Sequence, residues 1–168
     1  TMRQRLSKYY LLLFALISIS HTIIAQNRLS VSRGGSIAID INQLLLNNQL
    51  GNLVADSTIW LNYTTLVREE QPDFSITIEL ASGSIPEGVE LLVEAKPYNG
   101  ISQGRHGHST GLMPISQIPR VIIDQIGTSY TGNGIYVGHQ LIFSFRVTDF
   151  GLIEPGIHSI FVQFTLSQ

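Results

Sequence analysis

Two imidazole side chains lie two residues apart in the segment GRHGHSTG, residues 104–111. In an extended chain alternate side chains project to the same side, so His106 and His108 could bind one metal ion between them. A zinc site needs at least one more protein ligand, which only His139, His158 or a carboxylate, all distant in sequence, could supply. Two histidines at this spacing are not specific for a metal site, so we predict a solvated, glycine-flanked loop and no cofactor. His106 and His108 remain candidate metal ligands.

Hydroxyl groups follow the second histidine directly, at Ser109 and Thr110. A nucleophile needs a base and an orienting carboxylate in the right geometry, which sequence neighbours rarely provide. The sequence also predicts no strand-to-helix turn on which a serine nucleophile could be presented. Carboxylates cluster in VREEQPDF, residues 67–74, whereas glycoside hydrolases hold theirs across a cleft. We therefore predict a protein that is not an enzyme and has no catalytic residues.

Tyrosines lie in three glycine-containing polar segments, KPYNG, TSYTGNG and GIYVG. These tyrosines are Tyr98, Tyr130 and Tyr136, and a ring held on a rigid loop can stack on a sugar or contact a partner protein. In the alternative interpretation, each ring packs over the end of the fold and forms a hydrogen bond through its hydroxyl group. Trp60 lies within a strand-like segment and is expected in the core.

Alternation of apolar and polar residues predicts the elements that would position these side chains. The predicted inward faces are Ile37, Ile39 and Ile41, then Phe74, Ile76, Ile78 and Leu80, then Val89, Leu91, Val93 and Ala95, then Leu141, Phe143, Phe145 and Val147, and finally Ile160, Val162, Phe164 and Leu166. Only INQLLLNNQL, residues 41–50, could form a turn or two of helix. The pattern predicts an all-β fold, an antiparallel immunoglobulin-like β-sandwich of about seven or eight strands.

Glycine and proline placement also predicts which strands are neighbours. The segment ASGSIPEG, residues 81–88, should connect the strands on either side of it as a hairpin with a long turn. The segment DFGLIEPGI, residues 149–157, should likewise connect the last two strands as adjacent antiparallel partners. The longest stretch without a pattern runs from residue 97 to residue 118 and contains both histidines of the opening segment.

Basic residues, Arg3, Arg5 and Lys8, precede an apolar run that ends near Ala25, an order typical of a secretory signal peptide. We predict a signal peptide over residues 1–25, cleaved after Ala25, and one β-sandwich domain over residues 26–168. The chain would be exported to the periplasm, the outer surface or the extracellular space, without membrane insertion after cleavage. It has no cysteine, so neither disulfides nor cysteine-type zinc sites are available. Its 10 basic and 12 acidic residues form no basic stripe, which argues against nucleic acid as a partner.

The last third of the sequence resembles a known group of proteins. Residues 132–168, GNGIYVGHQLIFSFRVTDFGLIEPGIHSIFVQFTLSQ, look like the C-terminal strands of secreted bacterial pilus-type and spore-coat-U-like β-sandwich domains. The segment IELASGSIPEGVELLVEA, residues 78–95, is similar in style to repeats of the same group. The resemblance covers residues 73–168 and differs from the spore-coat-U-like pattern in lacking cysteines. It implies a structural subunit of a fimbrium or an adhesive layer on the cell surface.

Strand exchange is the mechanism that we expect for such a subunit, because a strand edge with unpaired backbone groups can accept a segment from a neighbour. The candidate donor is the stretch from residue 26 to residue 36, which alternates at Leu29 and Val31. The last strand is an equally good pairing edge, and its candidate residues are Ile160, Val162, Phe164 and Leu166. Protein partners or self-assembly are therefore expected. The alternative function is a carbohydrate-binding module that uses Tyr98, Tyr130 and Tyr136.

Overall fold

The chain forms a mostly antiparallel β-structure with almost no helix in the computed structural model, which describes residues 27–42 and 52–168. This part contains ten strands: β1 Arg28–Val31, β2 Ser36–Asp40, β3 Asn52–Thr65, β4 Phe74–Ser82, β5 Val89–Ala95, β6 Gly104–Ser109, β7 Met113–Pro114, β8 Arg120–Tyr130, β9 His139–Val147 and β10 Ile157–Ser167. A short 3₁₀ helix, Phe150–Leu152, precedes β10. The prediction of an all-β fold is confirmed.

Burial follows the alternation of the sequence. In β4, Phe74, Ile76 and Ile78 are buried, while Ser75 and Thr77 between them are half-buried. Of the other predicted inward residues, Leu80, Val147, Phe164 and Leu166 are half-buried and the rest are buried. The alternation is interrupted in β5 and β9, where Leu92 and Ser144 on the opposite faces are buried as well. An apolar residue at every second position gives one face that leaves water, and this burial is the main gain that holds each strand in place.

The strands form two groups that share a short junction. One group has the order β2, β10, β4, β8, with β6 added to β8, and the other has the order β3, β9, β5, β7, with β1 added to β3. The groups meet where the ends of β3 and β8 pair at Thr64 with Tyr130 and at Thr65 with Ser129. Every pairing among the described strands is antiparallel.

Neither predicted hairpin forms. Strand β4 pairs with β10 and β8, whereas β5 pairs with β9 and β7, so the turn of residues 83–88 carries the chain from one group to the other. Likewise β9 lies between β3 and β5, and β10 lies between β2 and β4. Both predictions of adjacent strands were therefore wrong. A long turn does not fix the partner of a strand, and contacts distant in sequence decide it.

Both groups contribute side chains to one hydrophobic cluster. From the β2, β10, β4 and β8 group come Ile37, Ile39, Phe74, Ile76, Ile78, Ile122, Ile123, Ile126, Ile160 and Val162. From the β3, β9 and β5 group come Ile59, Leu61, Tyr63, Val89, Leu91, Val93, Ala95, Leu141, Phe143 and Phe145. Trp60 is also buried, as predicted, with 6% of its surface exposed.

The turn between β1 and β2 carries the chain across the two groups, because β1 pairs with β3 and β2 pairs with β10. Gly35 ends this turn, and its backbone oxygen accepts a hydrogen bond from the Val162 amide at 2.8 Å. A Cβ atom at Gly35 would lie 2.1 Å from the Val162 oxygen, so only glycine allows this approach. Gly35 therefore fixes where β2 meets β10.

Two predictions concern residues outside the described part of the chain. The signal peptide of residues 1–25 lies there, and so do residues 43–50 of the possible helix. Among residues 27–42 and 52–168, no helix combines the length and apolarity needed to cross a membrane.

Candidate functional site

The histidine segment forms a strand and not the expected loop. Residues Gly104–Ser109 are β6, which pairs antiparallel with β8 and sets His106 opposite Ile126 and His108 opposite Asp124. Gly107 adopts φ 75°, and a Cβ there would lie 2.5 Å from the Asp124 oxygen. The glycine between the histidines thus permits the close approach of β6 to β8. His106 is half-buried, whereas His108 is exposed.

His106 has both ring nitrogens engaged. Its ring stacks on Tyr98 with the centroids 3.7 Å apart. Its Nε2 lies 3.0 Å from the Ser102 backbone oxygen, which can only accept, so Nε2 carries the proton in the neutral ring. Its Nδ1 lies 2.5 Å from Ser129 Oγ and accepts that hydroxyl proton. His106 therefore has no lone pair left for a metal ion.

A second histidine lies beneath β6 in the core. His139, with 0% of its surface exposed, places Nδ1 2.9 Å from the Lys96 backbone oxygen and therefore donates to it. Its Nε2 lies 2.9 Å from the Tyr63 hydroxyl group, and the same hydroxyl also donates to the His106 backbone oxygen. One phenolic proton is thus shared between two acceptors. This network joins β3, β6 and β9 through buried polar groups.

Burial controls the ionisation of both members of this pair. Loss of hydration lowers the pKa of His139, and this effect exceeds the opposing influence of the Lys96 and His106 carbonyl groups, both of which would accept hydrogen bonds from the charged ring. Burial, together with the nearby Tyr98, raises the pKa of Tyr63 far above its ordinary value. Both groups are therefore neutral at neutral pH. Because the pair is enclosed and its polar atoms are bonded, it serves packing and offers no open general base.

Residues Gly107–Gly111 read GHSTG and match the GxSxG spacing of a nucleophile elbow, a match that the sequence reasoning did not take into account. Ser109 ends β6, and the next element is strand β7. An elbow needs a helix immediately after the serine, and the chain forms none there. Ser109 Oγ accepts a hydrogen bond from the Gly111 amide at 3.2 Å, which makes a local turn. The geometry does not form an elbow.

The other proposed metal ligands do not join His106 and His108. His139 lies in the buried network, and His158 lines a separate pocket of about 370 Å³ with Glu87 and Glu154. Within residues 27–42 and 52–168, no three histidine or carboxylate side chains are close enough to hold one metal ion.

The three loop tyrosines occupy different environments. Tyr98 is half-buried, has one face covered by His106, and bonds Ser102 Oγ through its hydroxyl at 2.6 Å. Tyr130 ends β8 with 48% of its surface exposed, and its hydroxyl accepts from Asn133. Tyr136 is 71% exposed and lies edge-on to Trp60, with the ring centroids 6.0 Å apart. Only Tyr136 and Tyr130 present much ring surface to solvent.

The strand-exchange candidates lie in two strands. Leu29 and Val31 are half-buried in β1, opposite Tyr63 and Leu61 of β3. Ile160 and Val162 are buried in β10, whereas Phe164 and Leu166 farther along the same strand are half-buried. All six face the core cluster or pack against it.

The sequence reasoning did not single out Tyr63 and His139 as a pair, although a signal for both was present. Tyr63 continues the alternation of Ile59 and Leu61, and His139 continues the alternation of Leu141 and Phe143. A polar residue in phase with a buried face predicts a buried hydrogen bond. Extending each inward face by one step would have placed both in the core.

The described residues thus define an antiparallel all-β protein with a buried tyrosine–histidine network and one strongly exposed tyrosine beside its tryptophan. No family model, curated protein or solved structure matches this chain.

Proposed function

We propose that this chain is a non-enzymatic structural or adhesive subunit of a bacterial surface assembly, which joins its neighbours by strand addition. In this proposal the two groups of strands pack as an immunoglobulin-like β-sandwich, and the N-terminal signal peptide directs the chain out of the cytoplasm. The shared hydrophobic cluster supports the sandwich, because two sheets that bury one common core are packed face to face. The basic and apolar order of residues 1–25 supports export.

One observation carries the proposal: the last strand has a half-open edge. Strand β2 pairs with β10 only over residues 157–161, while β4 pairs with its other side as far as Ser167. Among the strands of the described residues, none pairs with the β2 side of β10 at residues 163–167. We call this the open edge of β10. An unpaired edge of this kind is a template for a further strand.

Backbone direction on β10 identifies the groups that an added strand would bind. The Val162 amide donates towards β2, to Gly35. Because N–H and C=O groups alternate sides along an antiparallel strand, those of Phe164 and Leu166 face the open edge. Leu80 is the β4 partner of Val162, and its amide donates to the Ser116 oxygen, away from β10. Val162 and Leu80 therefore form a pair without hydrogen bonds between them, as expected if the Val162 amide points towards β2. The open edge therefore offers two N–H and two C=O groups.

The side chains at the open edge favour a partner as well. Phe164 and Leu166 pack against the core but are only half-buried. A strand laid beside them would cover this apolar surface while it pairs with their backbone. Burial of apolar surface contributes about 25 cal/mol per Å², so the pairing would gain stability from both sources.

Strand β1 remains the proposed donor. It is four residues long and pairs with β3, with the apolar side chains of Leu29 and Val31 on one face. A short strand at the edge of a group can leave its own chain and occupy the same kind of position in a neighbour, as in domain swapping. Its two apolar side chains would match the two half-buried side chains of the open edge.

Cysteine trapping tests this pairing, because the chain contains no cysteine of its own. One copy would carry Ser30→Cys, and a second copy of different size would carry Thr165→Cys or Ser167→Cys. By alternation Ser30 lies on the face of β1 opposite Leu29 and Val31, and Thr165 and Ser167 lie on the exposed face of β10, so cross-strand neighbours there would approach within disulfide range. Mild oxidation of the mixture should give a disulfide-linked heterodimer with at least one of the two β10 variants.

The matched control is Ser84→Cys, an exposed residue in the turn after β4. It should give little heterodimer with Ser30→Cys, since no strand pairing brings them together. Equal yields for the three mixtures would mean random collision and would count against strand addition. Absence of any heterodimer at concentrations where the chain self-associates would exclude β1 as the donor.

A glycan-binding function is a second candidate, favoured by Tyr136. Its ring is largely exposed, and Trp60 holds it from the side. Sugars bind proteins by laying a C–H face on such a ring, with polar groups nearby for the hydroxyls. Because the ring of Tyr98 is covered on one face by His106, binding in this proposal rests on Tyr136 and its surroundings.

A further inference from the structure

A small pocket lies against the exposed tyrosine. It has a volume of about 160 Å³, and Trp60, Ile135 and Tyr136 supply its apolar wall. Pockets for drug-sized ligands measure roughly 300–1,000 Å³, so this one suits a single ring. The two aromatic planes meet at 66°, which makes a corner with Tyr136 as the exposed side and the buried Trp60 as its support.

The backbone of Tyr136 is held in a costly conformation. Its φ is 70°, in the left-handed region that residues with a Cβ rarely adopt. Two amide side chains hold the segment there: Asn99 Nδ2 donates to the Tyr136 oxygen at 2.9 Å, and Asn62 Nδ2 donates to the Val137 oxygen at 2.8 Å. Strain of this kind persists where the surroundings enforce it, and it concentrates at binding sites.

The remaining lining residues of the pocket are polar, and one of them, Arg33, carries a positive charge. Arg33 Nη1 donates to Thr58 Oγ1 at 3.1 Å, and the Thr58 hydroxyl in turn donates to Asp56 at 2.7 Å. Among residues 27–42 and 52–168, no carboxylate forms an ion pair with Arg33. Its guanidinium group is thus positioned through one N–H, and the other donors remain for a ligand.

Gln140 completes the polar wall. Its Nε2 donates to the Ser57 backbone oxygen at 2.7 Å, which fixes the orientation of the amide. The amide oxygen and second amide hydrogen remain for a ligand, and they can bond a pair of neighbouring hydroxyl groups. An aromatic face, an amide and a guanidinium group around a space for one ring match a sugar that has both hydroxyl groups and an acid group.

We propose that this pocket binds a single six-membered sugar ring that carries a carboxylate, such as a uronic acid. The ring lies on Tyr136, the hydroxyl groups bond Gln140, and the carboxylate pairs with Arg33. This inference rests on the second proposed function, glycan binding, and adds to it the acidic class of the ligand and the residue that selects it.

Trp60 is the only tryptophan of the chain and lies on the pocket wall, so its fluorescence reports binding directly. The probes are two pairs that differ only at the acid group, D-glucuronate with D-glucose and D-galacturonate with D-galactose. The acidic member of at least one pair should bind about tenfold more tightly than its neutral partner, since a charge-assisted bond is added. Arg33→Gln should remove this preference, whereas Arg33→Lys should retain part of it.

Tyr136→Ala should abolish binding of both members, and Phe161→Ala, which replaces an exposed aromatic residue of β10 outside the pocket, should leave it unchanged. Circular dichroism of each variant checks that the fold is intact. If neither pair of sugars changes the fluorescence, even at the concentrations used to detect weak sugar binding, the glycan function and this inference are both overturned. Equal binding of acidic and neutral sugars would overturn only the inference. An acid preference that survives Arg33→Gln would remove Arg33 as the selecting residue.

Discussion

Replacing Phe143 by alanine should lower the free energy of unfolding by about 3–5 kcal/mol, enough to unfold much of a marginally stable domain. Phe143 lies in β9 between β3 and β5, and none of its surface is exposed. The substitution removes a buried ring and leaves a cavity in the cluster that both groups of strands share. Urea unfolding followed by circular dichroism measures the effect.

Phe161→Ala is the matched control for this change. Phe161 lies in β10 with 48% of its surface exposed, next to the irregularity between Phe161 and Val162. Its loss should cost less than about 1 kcal/mol, because solvent already reaches the ring. Similar losses for the two phenylalanines would contradict the position of the core described above.

Lowering the pH from 7.5 to 5.5 should destabilise the protein through His139. Because burial lowers the pKa of His139 in the folded chain, only the unfolded chain takes up this proton just below the ordinary value of about 6.5. The contribution of His139 to the free energy of unfolding is therefore fully present above about pH 7.5. It falls as the pH drops through 6.5, by at most about 1.4 kcal/mol per pH unit. The loss of stability stops below the pKa that His139 has in the folded chain.

His139→Gln removes this group and should flatten the dependence, although the variant is less stable at every pH. His108→Gln is the control, because His108 is exposed and should leave the dependence in place. The measurement is the urea midpoint of the three proteins at several pH values between 5.5 and 7.5. Parallel curves for the wild type and His139→Gln would show that the buried histidine does not carry the effect.

Local pattern predicted the faces of the strands but not their partners. Phe74, Ile76 and Ile78 reveal an inward face because burial of every second residue is a local property. The separation of β4 from β5 depends on contacts distant along the chain, which a turn of residues 83–88 does not encode. The same reason explains why β9 and β10 lie in different groups.

Strand β6 illustrates the other limit of the sequence. Its residues, GRHGHS, contain no apolar alternation, so the pattern indicated a loop. The strand forms because its backbone pairs with β8 and because Gly107 permits the approach. His106 is then covered by Tyr98, a contact between residues from a turn and a strand that no local spacing predicts.

The pocket at Tyr136 was only partly predictable. Tyr136 drew attention because it lies among glycines, but Arg33 comes from a turn far from it in sequence, and Gln140, four residues beyond Tyr136, reaches the pocket from β9. Tyr98 and Tyr130, which share the same local composition, lie outside this pocket's wall. Composition thus identified a candidate ring, and only the fold identified its polar neighbours.

The central claim is that β10 has an open edge at residues 163–167 that a neighbouring copy fills. Residue-resolved hydrogen exchange by NMR tests it most directly, because the amides of Phe164 and Leu166 face this edge while those of Gln163 and Thr165 face β4. In the monomer, we predict fast exchange at Phe164 and Leu166 and slow exchange at Gln163 and Thr165. On self-association, Phe164 and Leu166 should become protected as well. Protection of all four amides in the monomer, or continued fast exchange at Phe164 and Leu166 in the assembled state, would contradict the claim.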